Sequence, residues 1–136
     1  MKNFKKNWLA LLLCLVATVF GMCFVGCKKN VDANAERVAI TVVNATENES
    51  LLEYMEGLQK DGELTFTIEK GMVTSINGTK NTTNTYWMLY TSDTENANTA
   101  WGTYTYDGQE LGSSTLGAES LNVKNGCVYV WVFTKF

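Results

Sequence analysis

Histidine and proline are both absent from this chain of 136 residues. Without histidine, the chain lacks the side chain most often used as general base and as metal ligand. Without proline, no turn is built on a fixed φ. No sequence period recurs, which excludes a solenoid or tandem array. The length suits one small domain and not two. Positive charge is also in short supply, with 11 basic against 14 acidic side chains and a formal net charge of −3. An acidic surface argues against nucleic acid or anionic lipid as a partner. No nucleophile–base pair stands out, so no enzymatic activity is expected and no cofactor is required. Asp93-Thr94-Glu95-Asn96 alternates oxygen ligands but lacks the glycine and terminal glutamate of a calcium loop. Asp93, Glu95, Asp107 and Glu110 therefore read as solvated loop acids, and no metal ligands are assigned.

What is present begins with a targeting signal. Lys2, Lys5 and Lys6 form a basic head, and residues 8–25 are almost wholly apolar. This run nearly suffices to span a bilayer, and it is also the pattern of a secretory signal. Phe24-Val25-Gly26-Cys27 follows and resembles a bacterial lipobox, with Phe in place of the usual Leu. Cys14 and Cys23 have poorer flanks. The resemblance implies diacylglyceryl transfer to Cys27 and removal of residues 1–26, and two acyl chains give stable anchoring. The alternative is an uncleaved transmembrane anchor. Either way the remainder lies outside the cytoplasm, tethered to a membrane. Loss of the three leading lysines makes the mature chain more acidic still. It also leaves Cys127 without a disulfide partner, so Cys127 reads as a small buried hydrophobe.

Residues 27–36 are polar and aperiodic and read as a tether, leaving residues 37–136 as the domain. Val38-Ala39-Ile40-Thr41-Val42-Val43 is β-branched and predicts a strand. Ser50-Leu51-Leu52-Glu53 is a capping box, and Leu51, Met55 and Leu58 share one helical face. Gly62 suits the stop of this short helix. Residues 63–69 alternate, with Leu64, Phe66 and Ile68 facing inward. Gly71 marks a turn or a close approach. Residues 72–76 continue as a strand ending in an Asn77-Gly78 turn, residues 79–85 read as loop, and residues 86–91 form an aromatic strand. Residues 101–106 form a strand closed by an Asp107-Gly108 turn, and residues 109–120 read as a Gly- and Ser-rich loop. Residues 121–123 predict a short strand joined through an Asn125-Gly126 hairpin turn to an apolar final strand over 127–134. Because that strand is apolar on both faces, it is expected to be central. Trp131 reads as core, and Trp101 as either core or surface. The expected class is α+β: a mixed sheet curled around one short helix, as in a β-grasp.

The order of motifs adds to this reading. Ser50-Leu51-Leu52-Glu53-Tyr54-Met55 comes first, then Met72-Val73-Thr74-Ser75-Ile76-Asn77-Gly78, then Tyr86-Trp87-Met88-Leu89-Tyr90, and finally Gly117-Ala118 and the Asn125-Gly126 turn. Together they resemble the transcobalamin-like C-terminal domain, a β-grasp domain of the soluble-ligand-binding group also found in bacterial surface lipoproteins. The resemblance implies a ligand site for cobalamin or a related corrinoid, as an accessory to uptake. Its contacts would come from Gly71, Met72, Val73 and Thr74, and from Trp87, Met88, Leu89, Tyr90, Thr91 and Ser92. In the vitamin carriers a Gln often stands where Met88 stands here. A large helical domain there covers the other side of the ligand, which implies that a transporter or second surface protein completes the site here. The other reading of the exposed aromatics is a protein–protein interaction surface with no small-molecule ligand.

Overall fold

The structure, a computed structural model, describes residues 30–136. The expected targeting signal and the expected lipidation site at Cys27 lie outside the described residues. Nine strands and one helix follow in order: β1 (Val31–Ala33), β2 (Arg37–Thr41), α1 (Leu51–Lys60), β3 (Phe66–Glu69), β4 (Met72–Ile76), β5 (Thr79–Lys80), β6 (Thr85–Thr91), β7 (Ala97–Tyr106), β8 (Gln109–Ser114) and β9 (Val128–Lys135). They form a large sheet of order β1-β2-β9-β6-β8-β7 and a small sheet of order β3-β4-β5. The class is α+β, with one helix among the described residues packed on two sheets.

The expected mixed sheet is corrected, because every ladder is antiparallel. A parallel neighbour needs a crossover connection within one sheet. Here α1 joins β2 of the large sheet to β3 of the small one, so it makes no such crossover. Tight turns supply the local connections. Lys70-Gly71, Asn77-Gly78 and Asp107-Gly108 all have positive φ at both residues. That is the two-residue turn whose twist matches antiparallel strands.

Local chemistry explains the helix. Ser50 Oγ accepts from the Glu53 amide at 3.1 Å, and Glu53 Oε2 accepts from the Ser50 amide at 3.0 Å. Leu51, Met55 and Leu58 are buried against Val38 and Ile40 of β2, Trp87 and Leu89 of β6, and Tyr129 and Trp131 of β9, with Leu64, Val73 and Ile76 closing the small-sheet side. A helix this short depends on that burial. Replacing Ser50 with Ala is expected to lower stability by about 1 kcal/mol, read as a shift of the urea midpoint at constant slope. An unchanged midpoint would show that the cap contributes nothing.

The last strand is central, between β2 and β6, as its two apolar faces predict. Tyr129 and Trp131 meet the helix side, whereas Val130 joins Ala39 and Leu111 in a second cluster with Tyr90, Tyr104 and Tyr106 around it. The β7–β8 hairpin supplies this second cover. Its end is clasped to the first strands, where Tyr106 Oη donates to Asp32 Oδ2 at 3.0 Å and the Arg37 guanidinium stands 5.1 Å from the centre of the Tyr106 ring. Burial, and then Asp32, push the Tyr106 phenol above its ordinary value.

Four further expectations are corrected. Residues 109–114, expected as loop, form β8, and Leu111 there is fully buried. Residues 31–33, expected within the tether, pair with β2 as an edge strand, which tolerates polar residues because one edge faces water. Residues 121–123 do not pair with β9; Asn122 bridges Ser50 beside the helix cap instead. The Asn125-Gly126 turn has positive φ at Gly126 alone, and it redirects the chain into β9 without joining neighbouring strands. Cys127 is half-buried at the margin of the main core.

Candidate functional site

The ladder between β6 and β9 runs the whole length of β6, from Thr85↔Lys135 to Thr91↔Tyr129. On its other edge β6 pairs with β8 at Tyr90 and Thr91 alone. Below that point the sheet splays, and a cleft of about 620 Å³ opens along residues 86–89. Its facing walls are the turn and first residues of β4 (Gly71, Met72 and Val73) and the segment 114–118 that follows β8. Trp131 of β9 and Phe136 complete the lining.

Asn81 fixes the distance between the walls. Its Oδ1 accepts from the Trp87 amide at 3.1 Å, and its Nδ2 donates to the Val73 carbonyl at 3.3 Å. Trp87 ties the same parts from the other side, its Nε1 donating to the Thr79 carbonyl at 2.9 Å. The Trp87 ring lies 5.0 Å from that of Phe133 and is buried. Gly71, at φ +78, sits so close to the Glu119 carboxylate that a Cβ there would lie 3.1 Å from Oε2. Both the turn and this approach favour glycine.

Among the lining side chains the Tyr86 phenol alone is ionisable, and the Glu119 carboxylate stands just behind Gly71. Its rim is apolar and open to water: Met72 is 63% exposed and Phe136 69%, with Tyr86 and Leu116 also exposed. Tyr86 and Phe136 lean together with centroids 6.0 Å apart. At the floor, Trp131 is 5% exposed, and among the described residues its Nε1 has no hydrogen-bond partner. Such a lining can hold an uncharged, largely apolar body and offer a few hydrogen bonds at fixed points.

Of the residues expected in a site, Gly71, Met72, Val73, Trp87, Met88 and Leu89 come together in this cleft. The other four do not. Thr74 lines a separate, smaller depression with Thr67 and Glu69, and its Oγ1 donates to the Thr67 carbonyl. Tyr90 packs on Tyr104 in the second cluster. Thr91 is fully buried and accepts from the Asp93 amide, while Ser92 Oγ accepts from the Val128 amide. Strand alternation and the end of the splay send these four elsewhere.

Sequence reasoning missed Asn81, Tyr86, Leu116, Trp131 and Phe136 as lining residues. The Gly117-Ala118 motif was visible, but its place opposite β6 was not. Asp93 is a further correction, being 3% exposed and thus no solvated loop acid. Burial alone would raise its pKa. The Asn96 amide, the Lys124 ammonium and the Glu95 backbone N–H together outweigh burial and hold it below the usual carboxylate range. Trp101 is 65% exposed, on a four-residue bulge of β7 between Asn98 and Thr103. No protein-family model, curated protein or solved structure matches the chain.

Proposed function

We propose that this chain is an extracytoplasmic lipoprotein, anchored through Cys27, whose β-grasp-like domain binds a small ligand of the corrinoid class, cobalamin or a relative, as an accessory to uptake. The observation that carries the reading is the meeting of two distant runs, residues 71–73 and 87–89, in one open and uncharged cleft. A corrin presents a broad apolar rim studded with amides. Met72, Tyr86, Leu116 and Phe136 suit the rim. A concave cleft supports a ligand over a flat protein contact at this place. Because the cleft is open, one face of the ligand stays in water, and a second protein covering that face would raise affinity. The role is binding, not catalysis.

The competing reading, a protein–protein contact, draws its support from a different place, the protruding Trp101. Calorimetric titration with cobalamin and with cobinamide separates the two. Saturable heat is expected, and because the lining is uncharged it should change little between low and high salt. Met72→Asp places a charge on the exposed rim without touching the core, and it is expected to weaken binding about tenfold, the equivalent of ~1.4 kcal/mol. No saturable heat with either compound would sink the corrinoid reading, whereas binding untouched by Met72→Asp would move the site out of this cleft.

A further inference from the structure

We infer that the end of the large sheet where β1 begins faces the lipid bilayer, and that the cleft opens away from it into the aqueous exterior. This rests on the proposed anchorage at Cys27. The ordered sheet starts almost at once, since the Asn30 carbonyl accepts from the Thr41 amide at 2.8 Å and Val31 pairs with Ile40. Only Lys28 and Lys29 separate Asn30 from the lipidated residue. Three residue steps reach at most ~10 Å even when fully extended. A tether so short fixes which end of the domain lies against the membrane. Its two lysines also favour anionic headgroups, whereas the acidic remainder of the chain is repelled by them.

The register then places everything else. Thr41 pairs with Val128 at the start of β9, and the Ser92 amide donates to the Val128 carbonyl. Asn30, Thr41, Val128 and Ser92 therefore lie at one level. The exposed Val43 and the Asn125-Gly126 turn belong to the same end, for the Gly126 amide donates to the Val42 carbonyl and Asn125 Oδ1 accepts from the Ala45 amide. From that level β9 runs eight residues to Lys135, a rise of ~25 Å. At its far end Thr134 pairs with Tyr86, and Phe136 follows. The rim residues Tyr86 and Phe136 thus stand at the end remote from the tether.

The orientation selects the kind of partner. While the domain stands on its tether, the membrane-embedded part of a transporter cannot reach the rim. The ligand arrives from the aqueous side, and the protein that covers its open face is a soluble carrier or the projecting domain of another surface protein.

The test uses the full, processed chain in vesicles of phosphatidylethanolamine and phosphatidylglycerol. In a Cys127→Ser background, a fluorophore is attached at Val43→Cys or at Phe136→Cys, both exposed positions. Quenching by a lipid carrying a headgroup nitroxide is expected to be several-fold stronger at 43 than at 136. Equal quenching at the two positions, or the reverse order, overturns the orientation while leaving the anchor intact. Cys27→Ala tests the anchor separately and is expected to release the protein from membranes. A chain bearing Cys27 that is itself recovered free of membranes overturns both readings.

Discussion

Replacing Trp87 with alanine is expected to lower the stability of the protein by about 3–5 kcal/mol, a large part of what a domain of this size possesses. Trp87 is buried in the main core, packs on Phe133 and donates through Nε1 to Thr79 in the small sheet. Its backbone amide also holds Asn81, which in turn holds Val73. Alanine leaves a cavity where two sheets and a helix converge, and it orphans the Thr79 carbonyl. Trp87→Phe keeps a ring against Phe133 and loses the hydrogen bond, so about 1–2 kcal/mol is expected. Guanidinium unfolding followed by circular dichroism measures both. A loss below 1 kcal/mol for alanine would mean that the small sheet is held to β6 by other means. The result also bears on binding experiments. Loss of ligand affinity in Trp87→Ala reports a collapsed cleft rather than a missing contact, so the rim residues are the better probes.

The second large effect is expected at Asp93. Its carboxylate accepts from the Asn96 amide at 2.8 Å, from Lys124 Nζ at 3.0 Å and from the Glu95 backbone at 3.2 Å. It joins the β6–β7 connection to the segment before β9, two regions distant in sequence. Removing the acceptor leaves three partly buried donors without it, and Asp93→Ala is expected to cost about 1–3 kcal/mol. Lys124 limits the loss, being partly exposed and keeping Glu95 as partner. The pH dependence has a definite sign. Asp93 titrates below the ordinary carboxylate value in the folded state. Its contribution is therefore fully present above an unfolded pKa of about 4 and is lost as pH falls through the lower folded value. Asp93→Asn should flatten the fall of the unfolding midpoint below about pH 4. An acid limb as steep in the variant as in the wild type would assign acid unfolding to other carboxylates.

Features carried by neighbouring residues were legible in the sequence. The capping box at Ser50 and Glu53, the helical face of Leu51, Met55 and Leu58, and the Asn77-Gly78 and Asp107-Gly108 turns are local chemistry, and they stand where expected. β8 was hidden because Gly112, Ser113 and Ser114 have little strand preference of their own. It is strand because Gly112 allows close approach to Ala97 and Asn98, and because Leu111 is buried in the second cluster. The Asp107-Gly108 turn was the available signal, since a turn of that type requires a returning strand. The cleft divides in the same way. Motif runs named residues adjacent in sequence, but the splay of β6 from β8 keeps residues 86–89 at the cleft and pairs Tyr90 and Thr91 into the sheet. Trp131 and Phe136 reach the cleft through pairing with a strand some forty positions earlier, which no local pattern encodes.

The central place of β9 has a consequence for how the molecule assembles. β2 and β6 touch it from either side, and its pairings reach back from Val132 to Arg37 and from Lys135 to Thr85. Before β9 is delivered, β1–β2 is an isolated hairpin, β6 meets β8 at two residues, and the helix has no complete surface to cover. Loop closure on that scale comes before any reward from contacts, and such topologies fold slowly. A chain made from its N-terminus thus stays open until its last strand emerges, then closes in one late step. Such an open chain would suit a threaded passage across the membrane in the export proposed above.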